Sequence, residues 1–160
     1  MDRDDVVIIG AGIGGAALAG ALAADGLSVL ALEQSEVYED RVRGESMQPW
    51  GVAEARTLGL EKTLLDAGAH ISKSWFVYHL PDMRDEIPIG AIVPGVDGSL
   101  NPRHPDACQA LADTAVALGA AVRRGTREVS FDLGPAPTPP PRTSTPTSCS
   151  RSSAPPERAA

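Results

Sequence analysis

The chain has 160 residues and a formal net charge of −7, from 14 basic and 21 acidic side chains. That length suits one domain, and the acidic balance disfavours nucleic-acid backbones and anionic membranes, both of which require a basic face. Two cysteines without a CxxC or a Cys/His cluster disfavour a disulfide framework and structural zinc, and fit a reducing, cytoplasmic compartment.

In chain order, Val6 to Ile9 is a short continuous apolar run, the pattern of a strand buried on both faces. Gly14 to Ala24 is a helix pattern stopped at Asp25-Gly26, and Leu27 to Leu32 is a second strand closed by Glu33. The two strands are expected to be parallel. Val6 to Ala24 is long enough to span a bilayer, but its five glycines and the flanking Asp2, Asp4 and Asp5 argue against a membrane or signal segment. Gln34 to Gln48 reads as a loop. Pro49 to Leu58 and Leu60 to Ala67 read as short helices, the first opened by its proline. Ile71 to Leu80 and Ile87 to Val93 are expected strands. Pro105 to Leu118 is a helix carrying Ala107, Cys108, Leu111, Ala115 and Leu118 at helical spacing, and Ala121 to Arg124 and Glu128 to Phe131 are two more short strands.

Composition then changes. The segment from Pro135 onward holds eight of the fourteen prolines and no Val, Ile, Leu, Phe or Trp. It lacks the apolar surface that would offset the entropy of ordering it. The expected division is a folded part over residues 1–133 and a disordered Pro/Ser/Thr-rich tail over 134–160.

Gly10, Gly12 and Gly15 form G-x-G-x-x-G between the first strand and the helix. Gly10 allows a tight turn, Gly12 lets a pyrophosphate approach the backbone, and Gly15 lets helix and strand pack closely. The helix N-terminus offers its free N–H groups to the phosphates, so the anion site needs no basic side chain. Glu33 follows Gly15 by 18 residues, at the end of the second strand, where a carboxylate accepts ribose hydroxyls. The competing reading is an ordinary β-α-β unit whose glycines only serve packing. Position 34 is Gln, so a 2′-phosphate would meet Glu33 without a neighbouring cation and NADP is disfavoured at this site. FAD and NAD both fit the fingerprint.

Three stretches choose between them: "VVIIGAGIGGAALAGALAADGLSVLALEQ", "RVRGESMQPWGVAEARTLGL" and "HPDACQALADTAVALGAAVRRGTRE". Together they resemble the first portion of the FAD-dependent aromatic-ring monooxygenases related to p-hydroxybenzoate hydroxylase, over roughly residues 4 to 131. The resemblance implies an α/β, Rossmann-like FAD-binding domain with a parallel sheet. It implies FAD as cofactor, NAD(P)H as co-substrate and a small, aromatic substrate for the whole enzyme. Carried over position by position, the cofactor-binding residues are Gly10, Gly12, Ile13, Gly14, Gly15, Glu33, Gln34, Arg43 and Arg103. Arg43-Gly44 match a loop that approaches the flavin. The family's arginine before the long helix falls at His104, one place after Arg103, and either residue is a candidate. No catalytic residue and no metal ligand is assigned. His70 and His79 are expected in surface or packing roles, and Trp75, Phe76 and Tyr78 either line a substrate pocket or fill core.

The family's two later flavin-site motifs, a strand followed by G-A-D-G and a glycine-aspartate pair, have no counterpart here. The expectation is a truncated domain, whose tail is either a frame-shifted translation of the first missing motif or a genuine linker. Such a chain is expected to be inactive alone. Alternatives are a non-catalytic dinucleotide-binding fragment or part of a flavin halogenase, a geranylgeranyl reductase or an NAD-dependent dehydrogenase.

Overall fold

A computed structural model describes residues 3–40, 46–80 and 83–130. Three strands form a parallel sheet in the order β1-β2-β7, with β1 at Val6–Ile9, β2 at Val29–Leu32 and β7 at Ala121–Arg123. Helix α1, Ile13–Ala24, connects β1 to β2. Helix α4, His104–Ala117, precedes β7 and packs on α1 through small residues, with Gly20 against the backbone of Ala115. Ile8, Val29 and Ala31 point into this helix layer and are buried with Ala11, Ala19, Ala23, Ala115 and Ala120. Alanine and glycine along α1 and α4 allow the two helices to lie close over a narrow sheet.

At the start of the sheet, Asp5 and Ser28 bind each other twice over. The Asp5 carboxylate accepts from the Ser28 N–H and hydroxyl at 2.9 Å each, while the Asp5 N–H donates to Ser28 Oγ at 2.8 Å. The register that follows pairs Val6 with Val29 and Ile9 with Leu32.

A second core joins α2 (Pro49–Thr57), α3 (Glu61–Asp66) and β6 (Ser99–Asn101) to α4, through Val52, Leu64, Leu100 and Leu111. Strand β3, His70–Ser72, pairs antiparallel with β6, and β4 (Ser74–Leu80) pairs antiparallel with β5 (Met83–Pro88).

Several expectations change. Val7 and Ile9 are 52% and 59% exposed, so β1 is buried only on the face carrying Ile8, the one that the helices cover. The run Ile71 to Leu80 is two strands in two sheets. The break falls at Lys73, whose carbonyl accepts from Ile89 N–H while Gly98 lies against Ser72. The second strand expected at Ile87 to Val93 lies earlier, since Met83–Pro88 folds back on β4, and Ile89–Ala91 is a 3-10 turn beyond Pro88. Residues 128–130 form no strand, having no ladder partner among the described residues, and Phe131 lies outside them. The tail expected at 134–160 also lies outside the described residues. Strand β6 was not expected from its three short polar and apolar residues.

Candidate functional site

The carboxyl ends of β1, β2 and β7 converge. Gly10 N–H continues the ladder to Leu32 O at 2.7 Å, Glu33 N–H donates to Arg123 O at 2.8 Å, and Thr126 N–H donates to Glu33 O at 3.0 Å. These bonds set Gly10, Glu33 and the 124–127 segment side by side at the crevice where open α/β sheets receive ligands.

The three glycines are distinct physically. Gly10 has φ of +95°, a conformation that side chains disfavour, and makes the turn off β1. A Cβ on Gly15 would stand 1.9 Å from Gly10 O, so only glycine permits that contact between helix and turn. Among the described residues, a Cβ on Gly12 would meet nothing within 4 Å, and Gly12 has ordinary extended dihedrals (φ −70°, ψ −166°). No described residue fills the space beyond Gly12. Among the described residues, no side chain caps the start of helix α1 there, which leaves its first-turn N–H groups for a ligand or water.

Glu33 stands beside this turn. Its Oε2 accepts Ala11 N–H at 2.7 Å and its Oε1 accepts Ser35 N–H at 2.8 Å. Partial burial opposes ionisation, but the amides of Ser35 and Ala11, the Ser35 hydroxyl and the Arg124 charge outweigh it and hold the carboxyl below its usual value. These bonds still leave the carboxylate with an acceptor site. A cavity of about 380 Å³ opens alongside, lined by Gly10, Glu33, Gln34, Thr126, Arg127 and Val129 among others. A second, of about 470 Å³, shares Gln34 and Arg127 with it. The open Gly12 cradle, uncapped amides, anionic acceptor and adjoining cavity fit the ADP half of a dinucleotide.

Of the expected site residues, the structure brings together Gly10, Gly12, Gly14, Gly15, Glu33 and Gln34. Ile13 opens α1, and its side chain packs against the second core, which leaves its amide as the group facing outward from the helix start. Arg43 lies outside the described residues. Arg103 does not line the cavity beside Gly10. It occupies the N-cap position of α4, and its guanidinium binds Asp106 at 3.1 Å and Asp40 at 3.3 Å. His104 lies 3.7 Å from Cys108 Sγ, one turn along the helix. His79 pairs with Asp85 across the exposed hairpin at 2.8 Å, and neither it nor exposed His70 joins the site. Trp75, Phe76 and Tyr78 are not core here, being 40–61% exposed on β4, and they line neither of the two cavities just described. Sequence reasoning missed Tyr38, Arg124, Thr126 and Arg127. Tyr38 donates to Ala11 O, and Arg124 stacks on its ring. The one signal for them was position: each lies just past the end of a strand that feeds the crevice.

Comparison with known proteins agrees with this geometry. The model of the FAD binding domain family matches residues 3–136. Squalene epoxidase 6 of Arabidopsis thaliana is 45% identical over 74 residues, 46% of this chain and 14% of that protein. Two solved structures share the fold. The p-nitrophenol 4-monooxygenase PnpA of Pseudomonas putida has a TM-score of 0.66 at 17% identity, over 76% of this chain and 32% of that one. The myxobacterial chondrochloren halogenase CndH has a TM-score of 0.64 at 24% identity, over 76% of this chain and 28% of that one. The chain thus spans about a third or less of the length of each protein it matches. The match across most of the sequence, over the turn and carboxylate just described, places the chain in the FAD binding domain family, with FAD as its cofactor.

Proposed function

We propose that the chain is the FAD-binding portion of a flavin-dependent monooxygenase that uses NAD(P)H and oxygen to oxidise a small organic substrate. The observation that carries the reading is the uncapped amide turn at Gly10–Gly15, open at Gly12 and flanked by Glu33. In this reading the amides of Gly12, Ile13, Gly14 and Gly15 hold the diphosphate. Glu33 accepts the ribose hydroxyls with the lone pairs that Ala11 and Ser35 leave free, and Gln34 borders the adenosine. Arg43 and Arg103 are assigned to the cofactor by the sequence resemblance alone. When bound, FAD supplies the reducible ring at which oxygen is activated, and this chain binds and orients the other half of the molecule. An aromatic substrate follows from the sequence resemblance and has support in the fold of the p-nitrophenol 4-monooxygenase. The squalene epoxidase match, at 45% identity, supports a second reading in which the substrate is of the squalene kind. A cytoplasmic location belongs to the same proposal and is checked by cell fractionation.

The test is a titration of the 160-residue chain with FAD, read by flavin fluorescence, beside the Gly12→Ala variant. The added methyl has room in the ligand-free fold, so the unfolding midpoint is expected to hold. Affinity for FAD is expected to fall at least about tenfold, the equivalent of one displaced phosphate contact. Equal affinity in the variant, or no FAD uptake by the unmodified chain, overturns the reading.

A further inference from the structure

Ala11 lies between two glycines of the turn, is fully buried, and has a side-chain partner at each of its backbone groups. Its N–H donates to Glu33 Oε2 at 2.7 Å, and its carbonyl accepts from the Tyr38 hydroxyl at 2.5 Å. A trans peptide is planar and rigid, so the C=O of Ala11 and the N–H of Gly12 point in opposite directions from one unit. Whatever holds that carbonyl aims that amide.

Tyr38 is itself held. The Arg124 guanidinium lies over its ring, 4.2 Å from the centroid, donates to Gln109 Oε1 on α4 at 2.9 Å and reaches Glu36 O at 3.5 Å. A cation over the ring draws electron density from the phenol and improves its hydroxyl as a donor. Burial above all raises the Tyr38 hydroxyl above its ordinary range, with Arg124 opposing and Glu33, Cys108 and Asp113 adding, which keeps the donor proton in place. The contact is local to the turn: Tyr38 joins the loop after β2 to the loop after β1.

We propose that Tyr38, backed by Arg124, is a positioning residue for FAD, fixing the direction of the Gly12 amide by holding the carbonyl of Ala11. This rests on the flavin reading above. A tyrosine that only filled space would be replaced by phenylalanine without effect. If the hydroxyl only stabilised the fold, its loss would lower the unfolding midpoint and leave affinity alone.

The experiment compares the unmodified chain with Tyr38→Phe, which keeps the ring under Arg124, and with Glu33→Gln and the double variant. FAD and ADP are the titrants, and the ¹H–¹⁵N shifts and exchange rates of the Ala11 and Gly12 amides are followed without ligand. Tyr38→Phe is expected to weaken FAD and ADP alike by about five- to tenfold, the usual worth of one neutral hydrogen bond. Its Gly12 amide shift is expected to move and its Ala11 exchange to quicken. The two single effects are expected not to add in the double variant, since both bonds orient one turn. Equal affinities in the unmodified chain and Tyr38→Phe overturn the inference and leave the flavin reading intact. Unchanged Ala11 and Gly12 amides overturn the clamp whether or not ligand binds. An unmodified chain that takes up neither titrant overturns the flavin reading and, with it, the role given to Tyr38.

Discussion

The parallel sheet and the β4–β5 hairpin hold similar residues and treat them in opposite ways. Ile8, Val29 and Ala31 disappear under α1 and α4. On β4, Trp75, Phe76, Val77, Tyr78 and Leu80 are all 40% exposed or more. The same contrast recurs across the thickness of the sheet, where Val7 and Ile9 face away from the helices and stay open. Alternation and β-branching select an extended backbone in each case, but a second layer decides whether its side chains leave water. A two-stranded hairpin alone is marginal in stability, so the helix-covered face carries the fold and the hairpin adds little to it.

Three measurements sharpen or break that contrast. The largest effect is expected at Gly15→Ala, because the new methyl would stand 1.9 Å from the carbonyl oxygen of Gly10 and neither backbone can yield cheaply. A loss of about 3 kcal/mol or more is expected in denaturant unfolding, at the upper end of overpacking effects; a loss under about 1 kcal/mol would mean that the helix and turn are not held in contact. Acid comes next. Glu33 is depressed in the folded chain, so its contribution is complete above the unfolded value of about 4.3 and is lost as pH falls through the lower folded value. Below about pH 4.3 the amides of Ala11 and Ser35 are therefore expected to exchange faster before the rest of the sheet opens, and Glu33→Gln should remove that step. Retention of the step in the variant would assign it elsewhere. The smallest effect is expected at Tyr78→Ala on the hairpin, 61% exposed, where the unfolding free energy should change by less than about 1 kcal/mol. A larger change would show that the hairpin has a covering partner.

The part of the molecule governed by short-range rules was legible from residues alone. Val6–Ile9, the glycine turn, α1 and β2 follow from an apolar run, positive φ and small residues within a span of 27 positions. Glu33 was found because its place is fixed by chain length from the glycines. What was not legible depends on partners far away in sequence. Strand β7 was legible as a strand, but its place next to β2, about 90 residues earlier, was not, and β6 exists because β3 and Met47 pair with it. The ion pairs that Arg103 makes with Asp40 and Asp106 at the start of α4 were not legible either, since Asp40 lies 63 residues away. Tyr38 and Arg124 meet across the fold and carry no motif, so their stacking could not be read from spacing.

One consequence follows from the clasp between Asp5 and Ser28. It ties β1 to β2 at the edge of the sheet opposite the glycine turn, about 16 Å away at some 3.3 Å per residue. A slip of one residue there would turn Ile8 outward and carry the Ala11 amide past the Glu33 carboxylate that it binds. The alignment of the turn proposed to seat the nucleotide is thus set by an aspartate and a serine at the far end of the two strands.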